Sequence, residues 1–302
     1  MATRLPIGTG LRTSALACIS CAMVLMLAGC ANLANGLLQM SPQQIGQLAQ
    51  NARHAVSPIS LEEEQQIGQE SAAVLLGASR PVNNPALQEY VNRVGLWIAL
   101  HSDRPDLQWH FAVLDDTDID AYAAPGGYVF VTKGLLLRLH SEAELAGVLG
   151  HEITHVVRKH HLNEIRRESR LALVGTAAQV ELQQNGYSTQ ALSQIAAGAK
   201  LVYSRGLDKD DEFQADREGV VLAARSGYDP FGLLAVLQML ESIDPKSGSV
   251  ELLLKTHPTP QARIAALSAA MQAGDMQKYG NQVEGAERFA NQMREFVGTI
   301  KN

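Results

Sequence analysis

The chain has 302 residues, 46% of them hydrophobic and only 5% aromatic, which is enough for a sizeable core and points to a helix-rich globular protein. A formal net charge of -6 excludes nucleic acid as a main partner, because phosphate binding needs a basic surface.

The first thirty residues carry an address. Arg4 and Arg12 precede an apolar run from about Ala15 to Ala28, and Leu27-Ala28-Gly29-Cys30 closes it with small residues before a cysteine. At about 14 residues this run is shorter than the roughly 20 needed to span a bilayer. The tetrapeptide resembles the bacterial lipobox, which implies removal of residues 1–29, acylation of Cys30 and membrane attachment through it. Ala31 resembles the outer-membrane default of that pathway, placing the protein in the bacterial envelope at the periplasmic face of the outer membrane. Cys18 and Cys21 fall within the removed segment, so no disulfide is expected, and loss of the two arginines leaves a net charge of about -8. Residues 30–58, rich in Gln, Asn, Ser and Ala, read as a tether.

Ser60-x-x-Glu63 then forms a capping box for a helix to about Leu76, which Gly77 and Pro81 end. A second helix is expected over Pro85–Ala99. Trp109–Leu114 alternates in the manner of a strand, and Tyr128–Thr132 gives another after a Pro125-Gly126-Gly127 turn. Ser141-Glu142-Ala143-Glu144 starts a further helix, and with no proline before Arg158 it is predicted to run unbroken to His161. Its apolar positions go most of the way round, marking a buried helix. Residues 162–203 read as helix with breaks near Gly186. A helix from about Asp210 to Arg225 ends at Gly227, Asp229-Pro230 begins the next, and Leu267 onward continues as helix.

His151-Glu152-Ile153-Thr154-His155 carries the chemistry. Histidines at i and i+4 lie one turn apart and about 40° apart around a helix, so both imidazoles reach one ion. Glu152 flanks that ion and is placed to act as a base. Two core-satisfied histidines are the plain alternative, but a mid-helix position after a capping box favours the metal site. Catalytic zinc takes three protein ligands and keeps one open position. Glu212-Phe213-Gln214-Ala215-Asp216 repeats the i, i+4 spacing with carboxylates, of which one could bind metal and the other orient a histidine. The same residues also fit an acidic helix start.

HEITH, EFQAD followed by Arg217-Glu218-Gly219, the Ala121–Gly127 turn, and His257-Pro258 with Arg263-Ile264 occur in the order found in the HtpX, LoiP and BepA family of membrane-associated zinc endopeptidases. The resemblance spans roughly residues 61–270. It implies a predominantly helical α+β, zincin-like domain over 59–270 with a small antiparallel or mixed sheet at the cleft edge. A helical extension over 271–302 would pack on that domain. It further implies one zinc held by His151, His155 and Glu212, with Asp216 behind them, His257 as a reversible fourth ligand and Arg263 as a cation stabilising the oxyanion. The strand after Gly127 is expected to border the cleft, where an extended substrate pairs with it. Asp120 departs from the family, standing where an asparagine often precedes the Ala-Tyr pair. His160 and His161 read as charged residues suiting a helix end.

The expected function is metal-assisted peptide hydrolysis in envelope proteins, with polypeptide substrates and envelope assembly machinery as partners. Two rivals are an envelope chaperone or assembly factor with a latched, structural zinc site, and a scaffold with no metal.

Overall fold

The computed structural model describes residues 59–175, 189–274, 276–279 and 282–300. The expected export signal, the expected acylation site at Cys30 and the expected tether lie outside the described residues.

Helix α1 covers Leu61–Ala78, with the Ser60 hydroxyl accepting from the Glu63 N–H at 3.1 Å. Its buried positions Glu64, Ile67, Ser71 and Leu75 recur at three- and four-residue spacing and so form one inward face. Helix α2 covers Pro85–Ala99: Asn84 caps it through the Leu87 N–H, and proline occupies its first turn, where no N–H is needed. Leu87, Val91, Val94 and Ile98 of α2 enter the main core.

Three strands form one sheet, β1 (His110–Leu114), β2 (Ala121–Ala124) and β3 (Tyr128–Thr132), in the order β1-β3-β2. β1 and β3 run parallel and β2 and β3 antiparallel, so the sheet is mixed. The sequence reading of residues 121–127 as a single turn is corrected here. Ala121–Ala124 is a strand, and only Pro125-Gly126-Gly127 turns, with positive φ at Gly126 (78°) and Gly127 (108°). A Cβ on Gly127 would stand 2.6 Å from the Gln108 carbonyl, which no side chain tolerates.

The expected cleft-bordering strand is corrected too. β3 is the middle strand, with both sides paired, and the free edge is that of β2. Since the Thr132 N–H donates to the Asp120 carbonyl, alternation turns the backbone groups of Ala121 and Ala123 away from β3. Asp120 Oδ1 accepts from the Ala121 N–H at 2.9 Å, and the Tyr203 hydroxyl donates to the Ala123 carbonyl at 2.8 Å. The far edge, on β1, is covered by α2. Gln88 both accepts from the Val113 N–H (2.8 Å) and donates to its carbonyl (2.9 Å).

After a single turn, α3 (Lys133–Leu136), comes α4 (Glu142–Arg158), opened by the Ser141 hydroxyl accepting from the Glu144 N–H. Nearly every residue of α4 through Val156 is buried. The unbroken helix expected to His161 is not observed. Lys159 takes a left-handed backbone (φ 62°, ψ 29°), and a new helix, α5, runs over His160–Gly175. That conformation costs a lysine about 1–2 kcal/mol. Opposing the cost, its N–H bonds to the His155 and Val156 carbonyls, and its ammonium lies 3.0 Å from Glu64 on α1.

Helices α6 (Thr189–Arg205), α7 (Lys209–Arg225), α8 (Gly232–Glu241), α9 (Glu251–Thr256), α10 (Pro260–Ala273) and α11 (Ala286–Ile300) follow. On α11, Phe289 and Phe296 are sunk in the main core. The crossing of α4 and α7 fixes the site. A Cβ on Gly150 would lie 2.6 Å from the Gly219 carbonyl, and one on Gly219 would lie 2.7 Å from the His151 nitrogen. Two glycines thus let the backbones touch and bring the first turn of α7 within reach of the HEITH turn. Among the described residues, no helix is long and apolar enough to cross a membrane.

Candidate metal centre

Three donor atoms converge where α4 meets α7. His151 Nε2 and His155 Nε2 are 3.1 Å apart, and Glu212 offers Oε2 at 3.7 Å from the first and Oε1 at 3.5 Å from the second. All three residues are buried, and their donor atoms lie within 4.8 Å of one another. Ligands about 2.1 Å from a tetrahedral zinc would stand about 3.4 Å apart, so the spacing fits such an ion. Glu212 Oε2 also has no hydrogen-bond partner, an orphaned buried acceptor of the kind a cation satisfies.

The electrostatics agree. Burial pushes the Glu212 carboxyl up to about 8 against the pull of Arg263, so without a cation this acid resists ionising. Burial, then the Arg263 charge, lowers His151. Burial, then His151, holds His155 well below its ordinary value. Two neutral imidazoles and one frustrated carboxylate form a donor set that gains by binding a divalent ion.

Behind His151 stands Asp216, its Oδ1 3.0 Å from His151 Nδ1. Arg263, on α10, forks onto both oxygens, Nε to Oδ2 at 3.0 Å and Nη2 to Oδ1 at 2.6 Å. Burial alone would raise the Asp216 carboxyl, but Arg263 and His151 prevail and hold it far below the usual range. Glu152 is buried beside the centre, its Oε1 4.0 Å from His151 Nε2. Burial, with Glu212 and Asp120 nearby, raises its carboxyl well above normal. His257 follows α9 and brings Nε2 to 3.4 Å from Glu212 Oε2. Thus the structure brings His151, Glu152, His155, Glu212, Asp216, His257 and Arg263 together, while Cys30 is outside the described residues.

Two histidines read as solvated helix-end charges behave otherwise. His160 is 6% exposed and sets its Nδ1 2.9 Å from His155 Nδ1; burial lowers its pKa. His161 stacks on Tyr203 with ring centroids 5.2 Å apart, and burial, then the His160 charge, pushes it down to about 3. Both are held neutral, His160 buried and His161 half-buried against Tyr203, so the helix-dipole account of them is corrected. Asp120 is the other residue that motif reasoning passed over. It lines a cavity of about 40 Å³ with His151, Glu152, Leu135, Val148 and Leu237. Burial raises it to about 7, and its Oδ2 has no partner. Its departure from the family's asparagine was the signal available.

The profile of peptidase family M48 matches residues 85–271. The beta-barrel assembly-enhancing protease of Escherichia coli K12 is 30% identical over 218 residues, covering 70% of this chain and 44% of that protein. Its namesake in Yersinia pestis is 29% identical over 221 residues, with the same coverage. The mitochondrial metalloendopeptidase OMA1 of Schizosaccharomyces pombe is 30% identical over 175 residues, 58% of this chain and 50% of that protein. The chain therefore spans about half the length of the curated relatives it matches.

Proposed function

The chain belongs to peptidase family M48, and on that premise we propose that it is a zinc-dependent endopeptidase acting on polypeptides of the bacterial envelope. The observation that carries this reading is the convergence of His151, His155 and Glu212 around an oxygen, Glu212 Oε2, that nothing else in the described residues satisfies. His151, His155 and Glu212 would hold the zinc, which when bound would supply Lewis-acid polarisation of the scissile carbonyl.

This chain's own residues do the rest. Glu152 takes the proton of the attacking water on its carboxylate and returns it to the leaving amine nitrogen. Asp216 keeps the His151 proton at Nδ1, so that Nε2 faces the ion. Arg263 contributes a buried positive charge near the developing oxyanion, steadied by Asp216. The largely apolar cavity next to Glu152, walled by Leu135, Val148, Leu233 and Leu237, is placed to receive an apolar substrate side chain.

The name of the Escherichia coli relative speaks of β-barrel assembly. With the lipobox-like Leu27–Cys30 segment, this supports misfolded or misassembled outer-membrane proteins as substrates. Cys30 would supply the lipid anchor at the periplasmic face. A second reading rests on His257: at 3.4 Å from Glu212 it is close enough to close the site as a fourth ligand, giving a latched assembly factor. Casein, or an unfolded outer-membrane protein, is incubated with the protein, with and without chelator, beside Glu152→Gln. The peptidase reading expects cleavage that chelator abolishes, and a zinc-loaded Glu152→Gln protein slower by about 10²–10⁴-fold. Equal turnover by variant and parent would overturn it, and zinc uptake without any cleavage would favour the latched form.

A further inference from the structure

His155 and His160 are five residues apart. On an uninterrupted helix, five residues turn through about 500°, which leaves the side chains about 140° apart and unable to meet. Here they touch because the left-handed Lys159 ends α4 and starts α5 in a new direction. The two Nδ1 atoms come to 2.9 Å, with ring centroids 5.0 Å apart and planes at 74°. The opposite nitrogen of His160, Nε2, lies 3.6 Å from Asp211 Oδ1.

We infer that His160 is a positioning residue for the second imidazole of the metal centre, accepting the His155 Nδ1–H on its own bare Nδ1. The inference rests on the zinc reading above. If His155 gives its Nε2 lone pair to a cation, its proton must be on Nδ1, and that hydrogen needs an acceptor. The only partner placed for it among the described contacts is His160 Nδ1. His160 then keeps its proton on Nε2, the nitrogen turned toward Asp211. The two ligands are therefore oriented differently: His151 by the Asp216 carboxylate, His155 by a neutral ring. A neutral acceptor sets the tautomer without adding a further negative charge beside Glu152, Glu212 and Asp120.

The test separates the acceptor from the ring. His160→Asn places an amide oxygen near the Nδ1 position, whereas His160→Phe keeps the ring volume and loses the acceptor. Each full-length, metal-stripped protein is titrated with zinc against a chromophoric chelator, and zinc release into excess chelator is timed. The inference expects His160→Phe to bind zinc about 10–100-fold more weakly and release it faster, and His160→Asn to stay within about threefold of the parent. Unfolding midpoints of the metal-free proteins show whether the fold is intact. Zinc binding by His160→Phe equal to the parent's, or by His160→Asn as weak as that of His160→Phe, overturns the inference. Should His160→Phe not fold, His160→Gln takes its place, since its amide is carried one methylene too far to meet His155; equal affinities of Gln and Asn variants overturn the inference. A parent that takes up no zinc overturns the metal reading and this inference with it. A zinc-binding parent with indifferent variants overturns only the role of His160.

Discussion

Asp216 accepts from two partners at once through Oδ1, lying 3.0 Å from His151 Nδ1 and 2.6 Å from Arg263 Nη2. In the proposed metal centre it would hold a ligand rather than be one, and this sets an expected order of effects. Glu212→Ala removes a donor atom and should leave the protein nearly metal-free after dialysis. Asp216→Ala should weaken zinc binding by about 10–100-fold. It should also lower stability by about 3–5 kcal/mol, because the Arg263 guanidinium is left buried without its counter-charge. Metal content by mass spectrometry and urea unfolding check both. Equal zinc retention by the two variants would contradict the assignment.

Glu64 answers to pH through an ion triad of its own. It is 1% exposed and lies between Arg104 (2.7 Å) and Lys159 (3.0 Å). Burial pushes its carboxyl up, but the hydrogen bonds and charges of Arg104 and Lys159 outweigh burial and hold it below 4.5. A folded-state value below the unfolded one means stability that is complete above about pH 4.5 and is lost as pH falls through the folded value. Glu64→Gln should therefore cost about 2–3 kcal/mol at pH 7, less than a fully buried pair because both cations keep some water. Its loss of stability below about pH 4.5 should be shallower than the parent's. Urea titrations at several pH values would show parallel acid limbs if the ion triad contributed nothing.

Asp120 has the opposite sign. Its carboxyl is raised from 3.8 to about 7 by burial, so the unfolded chain gives up this proton first and the fold weakens as pH rises from about 4 to 7. Asp120→Asn keeps an acceptor for the Ala121 N–H and removes the buried charge. In metal-free protein it should be more stable than the parent by several kcal/mol, on the order of 4, at pH 8 and little different at pH 4. A variant destabilised equally at both would show that the carboxylate is satisfied in some other way.

What the sequence made legible was local. The helix over Pro85–Ala99 was legible, alternation marked β1, the Pro125-Gly126-Gly127 turn announced β3, and the i, i+4 spacing of His151 and His155 put them on one helical face. What it hid was set by distant partners. β2 is three alanines and one tyrosine, and alanine is a poor strand former, so pairing with β3 makes it a strand. Lys159 is neither glycine nor proline, and its left-handed turn is supported by Glu64, some ninety-five residues earlier, so no local signal broke the predicted helix. That break displaced His160 and His161 from the surface role their position suggested. The contact of Gly150 with Gly219, which brings Glu212 to the histidines, is likewise invisible to periodicity; Glu212 stood out from its acidic neighbours only through family resemblance.

Bare strand edges are sticky toward any unfolded chain, and a small sheet has two of them. Gln88 spends both ends of its amide stoppering Val113 on β1, so that flank makes a poor template for misplaced polypeptide. The flank along Ala121 and Ala123 is buried, and its backbone is held by one aspartate oxygen and one tyrosine hydroxyl, so a chain could pair there only after those groups moved aside. On the peptidase reading, an extended chain that took their place along this flank would come to lie beside Glu152, which lines the same cavity as Ala121.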